Sequence, residues 1–381
     1  MVNGLMLGAV SAARALRDVE ALTANLSPQV RQRTAIGGRI SDTKLRDTLL
    51  LLEPGELRRC LHRQVLAEHR RGNLAPVRLG FGMAAIDGKG LGKLDSWDHP
   101  DIQKVSPQGR TPYGLARVHR THLVSSKATV CIDQRPIPGD TNEIGAVCDT
   151  TRELIETYKR TNLFEVITAD AGNCSVTHAA LIHEANLGYV LGIKENAGDI
   201  YQEALRLLAD CQAEEAEATV VHRERGAQVT HRLWRARLRG GYLRWTHARQ
   251  LVRVQRVVEK PGQDPEEGNR YFVSNLVSGR LNGTQWLTLI RLHWRCENEG
   301  HWTADVVWKE DARRIPWIRV PSAVYATSML RMIALNILSV FRSLSKRAWD
   351  SKPVPWKIVV EAVRFALAVP MFAISERFDF E

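Results

Sequence analysis

Two short apolar runs, each closed by an aspartate, constrain this chain more than any other feature. Met83-Ala84-Ala85-Ile86 ends at Asp87, and Phe164-Glu165-Val166-Ile167-Thr168-Ala169 ends at Asp170. Runs of this length read as strands buried inside a covered sheet rather than as core helices. Residues 88–92 (GKGLG) read as a turn, and residues 88–114 as a polar loop. Residues 115–126 and 128–133 read as a β-hairpin, stopped by Pro136 and Pro138. Asp140-Thr141-Asn142-Glu143 reads as a capping box opening a helix to about Lys159; a second helix closes at Gly188, and residues 189–194 form another strand. Three strands, then helix, strand, helix, strand, predict an α/β core with a mixed sheet.

The flanks differ from this core. Residues 1–75 carry apolar positions at helical spacing, with restarts at Ser27-Pro28 and at Ser41 or Asp42. With Arg31, Arg33, Arg39, Lys44 and Arg46 among them, these short helices suit a helix-turn-helix-like DNA module as readily as a plain helical cap. Residues 80–198 are the first part of the core, 199–282 a strand-patterned segment, 283–350 its completion and 351–381 a helical tail. Residues 283–302 read as one helix capped by Thr284, with Trp286, Trp294 and Trp302 as a core stripe; residues 319–345 read as an apolar helix covering the sheet.

Composition narrows the class. With 44% hydrophobic and 25% charged residues, a disordered chain is excluded. The six cysteines include no C-x-x-C pair, which leaves a structural zinc site unsupported and fits a reducing cytoplasm. Residues 358–374 are interrupted by Glu361, Arg364 and Pro370 and fail as a membrane span, and the N-terminus lacks the basic lead of a signal peptide. Lys and Arg number 53 against 42 Asp and Glu, a net charge of +11, which favours a polyanionic partner.

Asp87 and Asp170 stand at strand ends, where α/β sheets carry their sites, and an acid after such an apolar run is costly to bury without a cation or strong donor. Magnesium-like ions take oxygen ligands, and two of them can clamp both reacting oxygens of a phosphoryl displacement. A third acid is then needed. The helix over residues 284–302 offers Glu297, with His293 and His301 on the same face and Glu299 and Asp305 as rivals.

IDGKGLG, HLVSS, DTNEIGA, VITADAGNCS, GYVLGIKEN and RLHWRCENEGHWTADVVWKEDARR, in this order, resemble the H-repeat-associated group of bacterial insertion-sequence transposases. The resemblance runs from about residue 4 to 345 and is most specific over residues 291–314. It implies a DDE-type enzyme with a ribonuclease H-like core and the triad Asp87, Asp170 and Glu297. It also implies two Mg2+ (or Mn2+) ions, cleavage at element ends, strand transfer into target DNA, self-association in a synaptic complex, no membrane association, and a bacterial cytoplasmic, nucleoid-associated location. Departures are a longer loop after Asp87, Ala197 where Gln is usual, and Cys296 in place of Ile; all three acids remain. The alternatives are a degenerate, transposase-derived DNA-binding protein or a ribonuclease H-like nuclease without strand transfer.

Between Asp170 and Glu297 lie 126 residues, which implies a β-rich insertion interrupting the core. Inside it, residues 225–258 hold nine arginines with no lysine and no acid, interleaved with Trp234, Tyr242 and Trp245. Arginine forks onto phosphates, and aromatic rings stack on bases. Arg232, Arg235, Arg237, Arg239 and Trp245 are the expected DNA contacts there, with Lys89 and Lys194 reaching phosphates from the core.

Overall fold

The computed structural model describes residues 1–224, 226–239, 243–310, 320–345 and 353–368. Arg225 and Tyr242 of the arginine-rich stretch lie outside those residues, as do residues 369–381 of the tail. The chain opens with helices α1 (Val2–Val10), α2 (Leu16–Ala24), α3 (Pro28–Thr34), α4 (Asp42–Leu50) and α5 (Pro54–Arg70). Ser27 and Ser41 cap α3 and α4, accepting the backbone N–H groups of Val30 and Lys44. The central part runs β1 (Met83–Leu94), β2 (Ile102–Val105), β3 (Tyr113–Leu123), β4 (Val130–Pro136), α6 (Glu143–Tyr158), β5 (Val166–Ala169), α7 (Val176–Glu184) and β6 (Gly188–Ile193). Then come α8 (Asp199–Leu208), β7 (Ala218–Glu224), β8 (Ala227–Arg237), β9 (Gln250–Glu259) and β10 (Glu266–Ser274). Helix α9 (Gly283–His293), a π-helical turn (Cys296–His301), α10 (Trp302–Trp308), α11 (Pro321–Leu344) and α12 (Trp356–Ala368) complete the described chain.

All ten strands form one mixed sheet, ordered β2-β3-β1-β5-β6-β10-β9-β8-β7, with β4 also pairing β3. Strands β1, β3 and β4 are antiparallel neighbours, while β1, β5 and β6 run parallel. A three-strand meander followed by two helix-linked parallel strands, in the order β4-β3-β1-β5-β6, is the ribonuclease H-like arrangement. The strands of the segment 199–282 do not fold apart: β10 pairs antiparallel with β6, and β9, β8 and β7 continue the same sheet.

Alternation along the strands divides the core into two sides. Ala84, Ile86, Ile167, Ala169 and Leu191 pack with Leu154 of α6, Ile182 of α7 and Ala204 of α8. Met83, Ala85, Val166 and Val190 face the other way, onto Trp286, Leu289 and Leu292 of α9. A third core joins Leu45, Leu49 and Leu61 of the N-terminal helices to Met329, Leu330 and Leu335 of α11. Arg58 of α5 also donates both Nε and Nη2 to the buried Asp133 of β4, each at 2.7 Å. The first five helices therefore share a core with the C-terminal helix. Arg31 is spent on the carbonyls of Thr23, Ala24 and Leu26, and Arg39 pairs with Glu20. Helix α11 is long and apolar enough to cross a membrane by length and composition alone, yet 72% of its most apolar window is buried. Its Asn336 accepts the N–H of Cys131 and donates to the same residue's carbonyl, both at 2.7 Å, locking it to β4.

Several local expectations change. GKGLG is no turn: β1 continues through it to Leu94, paired with the long β3 and bulged between Gly90 and Gly92. Asn142, not Asp140, caps α6, and Asn282, not Thr284, caps α9 in a capping box with Gln285. The single helix expected over residues 283–302 is broken by the π turn. The tryptophan stripe fails with it: Trp286 is fully buried, Trp294 carries the Arg270 guanidinium on its ring, and Trp302 is 55% exposed.

Candidate active site

Register places the first two acids. Ile86 of β1 pairs with Ala169, the last residue of β5, so Asp170 just past β5 stands beside Asp87, which lies within β1 and not at the strand end expected for it. By alternation both project toward the side covered by α9. The π turn following α9 packs against β1 and brings Glu297 near enough for Asp87 and Asp170 to act on its carboxyl. Burial, then the charge of Asp170, raises the Asp87 carboxyl to about 6, although His293, the Gly88 N–H and Lys89 oppose the rise. Glu297 is raised by burial and by Asp87 and Asp170, with Arg270 pulling against them.

The rivals for the third position are already engaged. Glu299 accepts Thr129 Oγ1 at 2.7 Å and Arg295 Nη2 at 2.8 Å, and these partners hold its carboxyl low despite burial. Asp305 accepts Lys89 Nζ at 2.5 Å.

A fourth acid, Glu143, escapes sequence reasoning because it looks like the end of a capping box. With the cap moved to Asn142, its carboxylate lies against the Cα of Gly88: a Cβ there would stand 2.2 Å from Glu143 Oε1. Only glycine permits that approach. Burial, Asp87 and Asp170 raise the Glu143 carboxyl, with Arg117 opposing. The signal available in the sequence was the glycine directly after Asp87.

Neutral side chains position the acids. Asn173 donates Nδ2 to Asp170 Oδ1 at 2.9 Å and turns its own Oδ1 to His119 Nε2 at 3.1 Å. That geometry requires His119 to carry its proton on Nε2 and to accept from Thr150 through Nδ1, 3.0 Å away. His119 is fully buried, and burial lowers it to about 4, so it is neutral at pH 7. Asn196, two residues after Lys194, donates to the Ala171 carbonyl and steadies the backbone after Asp170. His301 Nδ1 stands 3.3 Å from Asp87 Oδ2; burial, with Arg120 and Lys89, lowers it to about 3. His293 shares a hydrogen bond with Thr168 of β5, and its Nε2 is buried without a partner among the described residues.

The expected DNA contacts fare unevenly. Lys194 and Arg239 are exposed. Lys89 is not free, being held by Asp305. Arg232 donates to Gln255 on the neighbouring strand, and Arg237 to Ser278 Oγ. Arg235 is committed to Glu217, Gln250 and the carbonyls of Ser278 and Leu281, so it fastens the chain ahead of α9. Trp245 cannot act as a stacking platform: it is 7% exposed and packed into the core beside Trp234, whose buried ring faces α8. The large apolar rings went inside because burying them outweighs displaying them.

The donor set suits hard divalent cations: three half-buried carboxylates and the exposed Glu297, with the nearest lysine neutralised by another acid. As the side chains stand, no three His, Cys, Asp or Glu among the described residues converge on one metal position.

The Escherichia coli (strain K12) protein YbfL and the H repeat-associated protein YhhI of the same organism are each 26% identical over 232 residues. Each match spans 58% of this chain and 58% of the relative, so little more than half of each relative's length is represented. A cryo-EM structure of a piggyBac transposase synaptic complex with hairpin DNA is similar at 13% identity and a TM-score of 0.45, covering 100% of this chain and 72% of that one. That likeness is too low to bear on the site. The family model described as "Transposase DDE domain" matches residues 86–337, opening one residue before Asp87 and enclosing Asp170 and Glu297, and the chain belongs to that family.

Proposed function

We propose that this protein is a DNA transposase that hydrolyses a phosphodiester at an element end and joins the freed 3′-hydroxyl to target DNA. The observation carrying this reading is the pairing of Ile86 with Ala169, which sets Asp87 and Asp170 abreast, with Glu297 and Glu143 raised by the same local field. Asp87, Asp170 and Glu297 would hold two Mg2+ or Mn2+ ions, with Glu143 beside Asp87. When bound, such ions lower the pKa of the attacking water or 3′-hydroxyl and stabilise the departing oxygen.

The chain's own residues do the rest. Asn173, backed by neutral His119, fixes the rotamer of Asp170. His301, uncharged at neutral pH, stands against Asp87 without competing for its charge. Glu297 is the exposed acid, with room to turn toward the two aspartates. DNA enters by charge attraction, and its partners are the element ends, the target and a second copy of this chain.

The test uses DNA carrying the ends of the element that encodes the chain. Asp87→Asn, Asp170→Asn and Glu297→Gln should each abolish metal-dependent cleavage while leaving DNA binding in place. Glu143→Gln should raise the Mg2+ concentration needed for half-maximal cleavage by about tenfold, the lower end of the loss seen when groups supporting a metal site are removed. Wild-type cleavage rates in Glu297→Gln would move the third acid elsewhere. Pre-cleaved ends that are bound but never joined to target would reduce the activity to that of a nuclease.

A further inference from the structure

The sequence placed its DNA contacts on the outward arginines of β8. The fold offers a different surface. A groove of about 820 Å³ opens between the inserted strands and the last turn of α9, and Glu297 lies in its wall.

Its origin is a change of character along one face of the sheet. Leu233, Val252, Val254 and Phe272 pack beneath α9 against Trp286, Leu287 and Ile290. Farther along the same strands α9 no longer covers that face, and polar residues replace apolar ones. There His231 pairs with Arg256, Arg256 with Gly268, and Arg270 stands two residues later on β10. Arg223 of β7, Arg291 of α9 and Trp294 complete this end.

The arginines here are uncommitted, unlike those of β8. Arg223, Arg256, Arg270 and Arg291 are exposed, and none has a carboxylate of the described residues within ion-pair distance. Arg270 holds its guanidinium over the Trp294 ring, its Cζ 4.0 Å from the centroid. Acids also line the groove: Glu266 is paired with Lys260, whereas Glu267, hydrogen-bonded by the neutral Gln255 amide, keeps its charge together with Glu224 and Glu297. The field is felt locally: burial first, then Arg291, His222 and Arg256, push His231 down to about 4.

We infer that this groove holds a DNA strand, its phosphodiester backbone running over Arg256, Arg270 and Arg291 so that the scissile phosphate arrives at Glu297. Guanidinium groups without carboxylate partners, gathered on one groove, can each fork onto a phosphate, and an arginine held on an indole stays in place to do so. The inference rests on the proposed transposase reading, since it is Glu297 that gives the groove its destination.

Binding of a labelled mixed-sequence DNA oligonucleotide, measured in EDTA across a salt series, tests it separately from chemistry. Arg256→Gln/Arg270→Gln/Arg291→Gln should weaken binding at least about tenfold and flatten the plot of log affinity against log salt by about 2–3 units, near one per lost phosphate contact. A charge-matched control, Arg71→Gln/Arg152→Gln/Lys159→Gln, removes cations that already pair with Glu68, Asp149 and Glu156 and should change the slope far less. Gly268→Phe, whose new side chain starts in open space, should obstruct the groove and weaken binding without removing charge. Equal slopes for the two triple variants, or full affinity in Gly268→Phe, would overturn the inference. Absence of metal-dependent cleavage in the wild type, with these binding effects intact, would instead overturn the catalytic reading and leave the groove standing.

Discussion

Asp87 occupies a position that an apolar strand would fill with another aliphatic side chain, and the protein's stability carries the cost. Its carboxyl, ordinarily near 3.8, is held at about 6 by burial and Asp170. A raised folded-state value means the folded protein retains a proton that the unfolded chain has lost, so stability is present below pH 3.8 and falls as pH rises to about 6. The shift is equivalent to about 3 kcal/mol. With metal chelated, Asp87→Asn should therefore melt above the wild type at pH 8, and the gap should close toward pH 4. Added Mg2+ should narrow the gap at pH 8 by stabilising only the wild type. Equal melting temperatures of the two proteins at pH 8 in chelator would contradict this account. Asp87 and Asp170 were legible from sequence because a carboxylate at the end of an apolar run is too costly to bury without a cation or strong donor to meet it. Glu143 was not, because its approach to Gly88 depends on the start of α6 lying against the middle of β1, a contact between residues 55 positions apart.

The element that decides the site is the π turn at Cys296–His301. One extra residue in a helical turn rotates the downstream helix about its axis, and such turns concentrate at functional sites. Here it leaves Trp302 outside and His301 against Asp87, an outcome that uniform helical periodicity through residue 302 could not produce. Deleting Asn298 returns the turn to α-helical register and rotates the two sides by about 100° relative to each other. Cleavage should fall at least about a hundredfold, the scale expected from small misplacements of reacting groups, while circular dichroism stays near wild type. Cleavage within a few fold of wild type would show that the π turn is not needed. Strand existence was readable because period-2 and period-3.6 patterns differ. Cap positions, the length of β1 and the π turn were not, because each is settled by hydrogen bonds with partners distant in sequence, such as the β3 ladder that carries β1 through its glycines.

Across the whole molecule, the sheet is backed by a buried charge network. Arg120, paired with Asp87 in register and fully buried, meets Glu310 at 2.8 Å and also reaches Gln134 and Ser328. Burial alone would raise Glu310, but Arg120 overcomes it and lowers the carboxyl to about 2, with help from Arg331 and Lys89. A depressed value contributes stability above about pH 4.5 that is lost as pH falls toward 2. Glu310→Gln leaves Arg120 buried without its counter-charge and should cost about 3–5 kcal/mol in urea unfolding at pH 7. Its stability should then depend less on pH between 4.5 and 2 than that of the wild type; a parallel acid limb would refute the assignment. The sequence by itself determined the α/β core, the two aspartates that close apolar runs and the candidacy of Glu297, because local periodicity and the cost of burying charge do not depend on distant contacts. Tertiary structure alone decided that the insertion extends the core sheet, that the N-terminal helices share a core with α11, and that Glu143 joins the acids. It also decided which arginines remain available: a guanidinium is free or spent according to the carbonyls and carboxylates that folding brings beside it, and composition cannot count those.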